Sequence, residues 1–317
     1  MVKTAFLFPG QGSQFVGMGQ EFYEADPDCR ALFEEANGIL GQNLAELCFQ
    51  GPEETLKLTE NTQPALLVHS IIALKRLRDH GIDCVLTAGH SLGEFSALVC
   101  AGSLRFRDAV HLVRQRGRFM QEAVPVGVGA MAAVIGLPAE QIQQLCVDAS
   151  SDGTIVQPAN LNSPEQIVIA GHKEPVETVS EQAKQQGAKK VVILPVSAPF
   201  HCRLMEPAAA RLKVELNKTE FRDADVPVVT NVDARPNTSG EAAREALVRQ
   251  VCSPVRWTET MQYIVEQGIE AVVEVGSGKV LSGLMKRFHK DMRCYQVGDE
   301  ESLAKTVSEL KTPIERN

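Results

Sequence analysis

The run Gly89-His90-Ser91-Leu92-Gly93 constrains this chain more than any other segment. Residues 84–88, Cys-Val-Leu-Thr-Ala, form a short apolar β-prone run before it, and residues 94–101 form a helix-prone run after it. Two glycines allow the tight, strained turn of a G-x-S-x-G elbow, which projects the serine Oγ from the top of a sheet. An incidental serine at an ordinary strand–turn–helix junction has the same local pattern. The rest of the chain must decide between the two.

Further β-prone runs occupy 4–8, 226–232 and 270–275. Between them lie segments of helical period. In 65–80 the apolar positions 66, 67, 71, 74 and 77 share one face, and Gly81 follows as a stop. Residues 106–123, 203–217, 241–251 and 280–288 are further helix candidates. Strands alternating with helices predict an α/β body with a parallel sheet. One stretch has another rhythm: strand 130–136, helix 139–149, strands 154–159 and 166–170, helix 175–187, strand 189–195. That β-α-β-β-α-β order is the ferredoxin-like unit. Residues 126–197 are therefore expected to form a small domain inserted into a larger, discontinuous one, 1–125 with 198–317. Pro125, Pro195 and Pro199 are expected hinges, and the tail 311–317 is expected to fray.

The chain has 317 residues, enough for about two domains of core. Acidic residues outnumber basic ones, 40 to 32, for a net charge of −8. A broadly nucleic-acid-binding surface is not expected on such a chain. No segment approaches the ~18 unbroken apolar residues of a membrane helix, and the start, MVKTAFLFPGQG, reads as a first strand and not a signal peptide. The eight cysteines form no CxxC and no zinc spacing. No metal site is expected, and a reduced, cytoplasmic setting fits best.

An attacking serine needs donors for the oxyanion formed at its carbonyl target. One is the N–H of the residue after it, Leu92. The second usually comes from a glycine-rich loop after an early strand, and Pro9-Gly10-Gln11-Gly12-Ser13-Gln14 is such a loop, with Gln11 the natural donor. A dinucleotide-binding G-x-G-x-x-G would need Gly where Phe15 stands. A phosphate loop at Gly276-Ser277-Gly278-Lys279 fails because Val273 and Val280 occupy its first and last positions.

The serine also needs a base. His90 lies inside the elbow, where its ring cannot easily reach Ser91 Oγ. His69, His80 and His111 lie on helical segments, where a surface or capping role is commoner. His201 sits in an irregular, proline-bracketed loop, the setting in which catalytic side chains tend to be found. No Asp or Glu has the placement of a triad acid, so a Ser–His dyad is expected. Cys202 lacks an elbow. Arg114, Arg116 and Arg118 fan out from one helix, so at most one or two can face a common cleft and grip a carboxylate.

These residues resemble those of the malonyl-CoA:acyl-carrier-protein transacylase family of bacterial fatty acid synthesis, which is similar to the acyltransferase domains of polyketide synthases. The resemblance runs from Phe8-Pro9-Gly10-Gln11-Gly12-Ser13-Gln14 to Glu274-Val275-Gly276-Ser277-Gly278. Between them it passes through Gln63-Pro64-Ala65, the elbow with Glu94, Arg116-Gly117, Met120-Gln121-Glu122, Gly129-Ala130-Met131-Ala132, Asn160-Leu161-Asn162-Ser163 and His201. It implies an α/β-hydrolase-like large subdomain with a ferredoxin-like insertion. It further implies Ser91 as the acyl-carrying nucleophile, His201 as its base, and the amides of Gln11 and Leu92 as the oxyanion hole. Arg116 pairs with the malonyl carboxylate, Gln63 lines the pocket, and the main-chain carbonyl of Gln250 orients the histidine. Arg114 and Arg118 fall off the matching position.

The implied reaction is ping-pong transfer of malonyl from malonyl-CoA to the phosphopantetheine thiol of acyl carrier protein, with no metal or permanent cofactor. One departure stands out. Many bacterial members have Ser before the catalytic His, whereas this chain has Phe200. In polyketide acyltransferases, Phe at that place accompanies malonyl and not methylmalonyl units. Fatty acid synthesis and a discrete polyketide acyltransferase both stay open, with the former favoured. The rivals are a thioesterase or esterase, which passes the acyl group to water, and a binding module with an inert elbow. The acidic balance implies a local basic patch for an acidic carrier protein, with Lys189-Lys190 and Lys286-Arg287 with Lys290 as candidates.

Overall fold

The computed structural model describes residues 2–196 and 198–311. Past Lys311 the expected fraying of the tail lies outside them, as does position 197 at the expected end of the insertion. Among the described residues are strands β1 (Thr4–Phe8), β2 (Leu86–Gly89), β3 (Gly129–Ile135), β4 (Val156–Ser163), β5 (Gln166–His172), β6 (Lys190–Ile193), β7 (Val228–Val229), β8 (Pro236–Asn237), β9 (Ala271–Val275) and β10 (Arg293–Val297). They form two sheets, one ordered β10-β9-β1-β2-β7-β8 and one ordered β4-β5-β3-β6.

The larger sheet is parallel except for the β7–β8 pair. Its centre is β1, and all five residues of β1 are buried. Ala5 and Leu7 pack on one side with Trp257, while Phe6 and Phe8 pack on the other with Phe95. Burial on both faces is why the strand reads as an unbroken apolar run and not an alternating one. Register sets Phe8 beside Gly89, so the loop after β1 and the elbow after β2 emerge side by side. That is the end of an open α/β sheet where ligands bind.

The smaller sheet is antiparallel throughout. Two helices, Ala139–Ala149 and Lys173–Gln185, cover one face and bury Ala132, Val134, Ile167 and Ile169. The opposite face sends Met131, Val168 and Ala170 into the main core. β4 is also fastened to the larger body. Leu161 N donates to Val255 O, Val255 N to Ala159 O, and Thr258 Oγ1 to Leu161 O, each at 2.9 Å.

Two elements differ from expectation. The run 226–232 pairs only at β7, because the chain then turns out of the sheet over 231–233. The helix expected over 65–80 begins earlier, spanning Thr59–Asp79 with Pro64 inside it. Pro64 has no N–H for the carbonyl of Glu60 one turn back. Arg114 Nη1 donates to that carbonyl instead, at 2.9 Å, and the helix continues. The helix carrying Arg114, Phe106–Glu122, crosses there at close range: a Cβ on Gly117 would lie 2.7 Å from Glu60 Cα. Among the described residues no helix is long and apolar enough to cross a membrane.

Candidate active site

Backbone crowding explains the glycines of the elbow. A Cβ on Gly89 would lie 1.9 Å from the backbone of Gly93, and one on Gly93 would lie 2.1 Å from Phe8 O. Ser91 between them takes the left-handed conformation, φ 53°, a strain that persists only where surrounding contacts hold it. Here two side chains hold both of its peptide groups. Asn231 Oδ1 accepts from Ser91 N at 2.7 Å, and its Nδ2 donates to Gly89 O at 2.6 Å. Gln250 Nε2 donates to Ser91 O at 2.9 Å.

Ser91 Oγ lies 2.7 Å from His201 Nε2. His201 Nδ1 lies 2.8 Å from the Gln250 carbonyl, which can only accept. Nδ1 therefore carries the proton, and Nε2 is free to take one from the serine. The ring is fully buried, and burial pushes its pKa down to about 3, helped by the charge of Arg116 and opposed by the Gln250 carbonyl. His201 is thus neutral, the state in which an imidazole nitrogen can accept a proton. Among the described residues no carboxylate is bonded to the ring; a backbone carbonyl does the orienting.

Arg116 is 2% exposed. Its Nη1 donates to Gln63 Oε1 at 2.8 Å, and its Nη2 to Gln250 Oε1 at 2.9 Å and Ser91 Oγ at 3.0 Å. Its Nε has no partner among the described residues. Burial pushes its pKa down to about 10, against the charge of Glu94. Neutral amides and a hydroxyl hold this cation, which leaves it able to take a ligand carboxylate. Arg114 serves the helix crossing, and Arg118 faces Glu122 at 3.6 Å, so neither joins the site.

A cavity of about 380 Å³ opens over these groups, and Gln11, Gln63, Leu92 and Phe200 line it with Ser91 and His201. Gln11 Nε2 is tied to Thr59 Oγ1 at 3.2 Å, which fixes the loop after β1 against the pocket wall. Cys202 donates to Pro199 O at 3.1 Å, and burial pushes its thiol up to about 12, so it offers no rival nucleophile. His90 turns away from Ser91 Oγ, its Nε2 lying 2.9 Å from Asn162 Oδ1. His69 corrects the expectation of a surface or capping role: it is completely buried, with Nε2 2.8 Å from Gly298 O.

Sequence reasoning missed Asn231, Glu94 and the side chain of Gln250. Glu94 is 1% exposed, and its Oε2 accepts from Asn231 N at 3.1 Å and Gln250 Nε2 at 2.7 Å. Burial raises its pKa to about 7 against those hydrogen bonds and Arg116. Its signal was a carboxylate inside an apolar helix, three residues after the serine. Asn231 gave no local signal.

A family model described as "Acyl transferase domain" matches residues 5–307. The malonyl CoA-acyl carrier protein transacylase of Bacillus subtilis is 49% identical over 311 residues, covering 98% of each chain. That of Escherichia coli (strain K12) is 50% identical over 96% of this chain and 98% of its own. Among solved structures, the malonyl CoA-acyl carrier protein transacylase of Coxiella burnetii superposes with a TM-score of 0.95 at 43% identity, covering 98% of both chains. A malonyl-transacylase solved in complex with its type II PKS acyl-carrier protein gives 0.94 at 48% identity, covering 97% of this chain and 99% of its own. With the Ser91–His201 pair and the buried Arg116 already in place, the conclusion is direct: the chain belongs to the acyl transferase domain family and, within it, to the malonyl CoA-acyl carrier protein transacylases.

Proposed function

We propose that Ser91 takes a malonyl group from malonyl-CoA and passes it to the phosphopantetheine thiol of an acyl carrier protein, supplying the extender unit for fatty acid synthesis. The observation that carries this reading is Arg116, a buried guanidinium 3.0 Å from Ser91 Oγ. An esterase for neutral acyl groups has no use for such a cation. A malonyl thioester supplies the carboxylate it lacks.

In the first half-reaction His201 Nε2 takes the Ser91 proton as Oγ attacks the thioester carbon. The N–H groups of Gln11 and Leu92 hold the resulting oxyanion. The C–S bond then breaks, and CoA leaves as the thiol with the proton from His201. The carrier thiol reverses this path: His201 takes its proton, the sulfur attacks malonyl-Ser91, and the serine is reprotonated. Every proton and electron pair is accounted for without metal or redox cofactor. Phe200, against the pocket wall, fills the space an α-methyl group would need.

In the same reading residues 126–197 are a ferredoxin-like small subdomain closing over 1–125 and 198–317, supported by the four-stranded sheet whose Met131 reaches the cavity. A cytoplasmic setting is supported by eight free cysteines. Of the basic candidates for carrier docking, Lys189 pairs with Glu165 at 2.9 Å, and Lys286 caps the carbonyls of Lys290 and Met292.

Intact-protein mass spectrometry tests the proposal. After malonyl-CoA the chain should gain one malonyl group, Ser91→Ala should gain none, and adding holo carrier protein should move the group to the carrier. Label on another residue, or release to water regardless of carrier, would overturn it. Arg116→Ala should cost malonyl transfer roughly 2–5 kcal/mol and spare acetyl transfer. A second reading, a discrete polyketide acyltransferase, is favoured by the likeness to the enzyme solved with a type II PKS carrier. Comparing kcat/KM on the two kinds of carrier separates them.

A further inference from the structure

Ser91 donates its amide hydrogen to one side chain and accepts from another at its carbonyl, and those two side chains meet. Asn231 holds Ser91 N and Gly89 O. Gln250 holds Ser91 O through Nε2, Arg116 through Oε1, and His201 through its main-chain carbonyl. Both partners then bond to a single atom, Glu94 Oε2, through Asn231 N at 3.1 Å and Gln250 Nε2 at 2.7 Å. Asn231 and Gln250 come from different segments, the turn after β7 and the end of the helix Gly240–Gln250. Neither segment carries information about where the other lies.

We infer that Glu94 is the positioning residue of the nucleophile: its carboxylate anchors the Asn231 and Gln250 clamps that keep Ser91 left-handed and its Oγ aimed at His201. Glu94 touches no reacting atom. A Gln amide has two faces, and the acceptor at Glu94 keeps its nitrogen toward Ser91 O and its oxygen toward Arg116. Without that acceptor the clamps lose their common anchor. The strained turn can then relax toward ordinary φ values, which moves Oγ off the imidazole. Misplacement on the scale of an ångström costs about 10²-fold in rate.

Charge alone is a different account of the same residue. Glu94 is the carboxylate whose charge acts on Arg116, and it makes no direct bond to the guanidinium. If its use were only to balance that cation, removing it would disturb malonyl recognition and leave the serine intact. Anchoring predicts the reverse: a loss in the chemical step, indifferent to whether the acyl donor carries a carboxylate. It also predicts that an uncharged acceptor of the same shape suffices, because the amide oxygen of Gln can receive both hydrogen bonds.

The inference rests on Ser91 being the acylated residue. Three variants test it in the full-length chain: Glu94→Ala, Glu94→Gln and Asn231→Ala, each checked for native circular dichroism and melting. Two rates are read, malonyl transfer split into kcat and KM, and labelling of Ser91 by a neutral fluorophosphonate. Glu94→Ala should lower kcat and the labelling rate alike, by about 10²-fold, with KM nearly unchanged. Glu94→Gln should restore both to within a few-fold, and Asn231→Ala, which keeps Glu94, should repeat the Glu94→Ala profile should that variant not fold. A loss confined to malonyl KM, or a Glu94→Gln as slow as Glu94→Ala, would make the role electrostatic and overturn the inference. A wild-type chain that takes no malonyl on Ser91 defeats the proposed function instead. A wild type that is acylated, with Glu94→Ala as fast, defeats only this step.

Discussion

The elbow around Ser91 and the loop around His201 meet at one hydrogen bond, yet they are built by opposite means. Both place a non-glycine residue in the left-handed region, at φ 53° and 61°. The elbow is framed by β2 and the helix Gly93–Cys100, and crowding between neighbours dictates a glycine at each end. The His201 loop runs from the end of β6 to a short 3-10 turn, Arg203–Met205, and its described residues belong to no helix or strand themselves. It is held from afar, by the Gln250 carbonyl and by Pro199 packed where a Cβ on Gly129 would come within 2.4 Å of its ring. Local crowding writes itself into adjacent residues. Distant support does not.

The largest break should come from the elbow's second glycine. Gly93→Ala drives a methyl to 2.1 Å from the carbonyl of Phe8, and no side chain can yield there, so the two central strands must part. We expect a loss of roughly 3 kcal/mol or more. A urea midpoint displaced by less than about 1 kcal/mol would show the elbow to be more plastic than its geometry implies.

Acid should separate the two regions by sign. His201 falls from 6.5 to about 3, so the unfolded chain binds its proton first, and this stability is lost as pH drops from 6.5 toward 3. Buried His69, lowered to about 4, acts in the same direction. Glu94 rises from 4.5 to about 7, so the folded chain binds its proton first, and lowering pH from 7 to 4.5 adds stability. The terms oppose each other between pH 6.5 and 4.5, and below that only the histidines remain. Two histidines against one carboxylate leave a net slope of about one proton, so the wild type should already lose stability gently between pH 6.5 and 4.5. Glu94→Gln, without the offset, should decline about twice as steeply there. Parallel urea midpoints for the two proteins across that window would refute the assignment of the offset to Glu94.

The smallest effect sharpens the comparison at the loop. His201→Ala and His201→Gly both remove the proposed base and should both cost about 10²–10⁴-fold in kcat. Glycine tolerates φ 61° without a Cβ penalty, so His201→Gly should be the more stable of the pair by about 1 kcal/mol. Equal melting temperatures would mean that the loop relaxes once the imidazole is gone.

The parallel sheet and the ferredoxin-like order of the second sheet were legible because buried strands and amphipathic helices carry their period along the chain. The helix Val280–Phe288 falls where its pattern put it. The region before Thr59 gave less away. Its helices, such as Pro27–Leu40, went unmarked, although Asp26 caps that helix by accepting from Asp28 N and Cys29 N beside a first-turn proline. That capping signal was available. In the site, Ser91 could be found from its own neighbours, whereas the carbonyl behind His201 and the clamp of Asn231 depend on contacts 49 and 140 residues away. No window along the sequence contains them.

The close crossing at Gly117 bears on any attempt to redesign what this pocket accepts. Gln63 and Arg116 sit on the two helices that touch there, and a Cβ at Gly117 would already lie 2.7 Å from Glu60 Cα and from Thr59 O. The two walls of the cavity are therefore set at a fixed gauge, which Arg114 pins through the carbonyl that Pro64 leaves free. Widening the cavity by spreading the helices means rebuilding both of them. Room for a bulkier ligand has to be cut from replaceable side chains, Met120, Met131 and Phe200, with the backbone left alone.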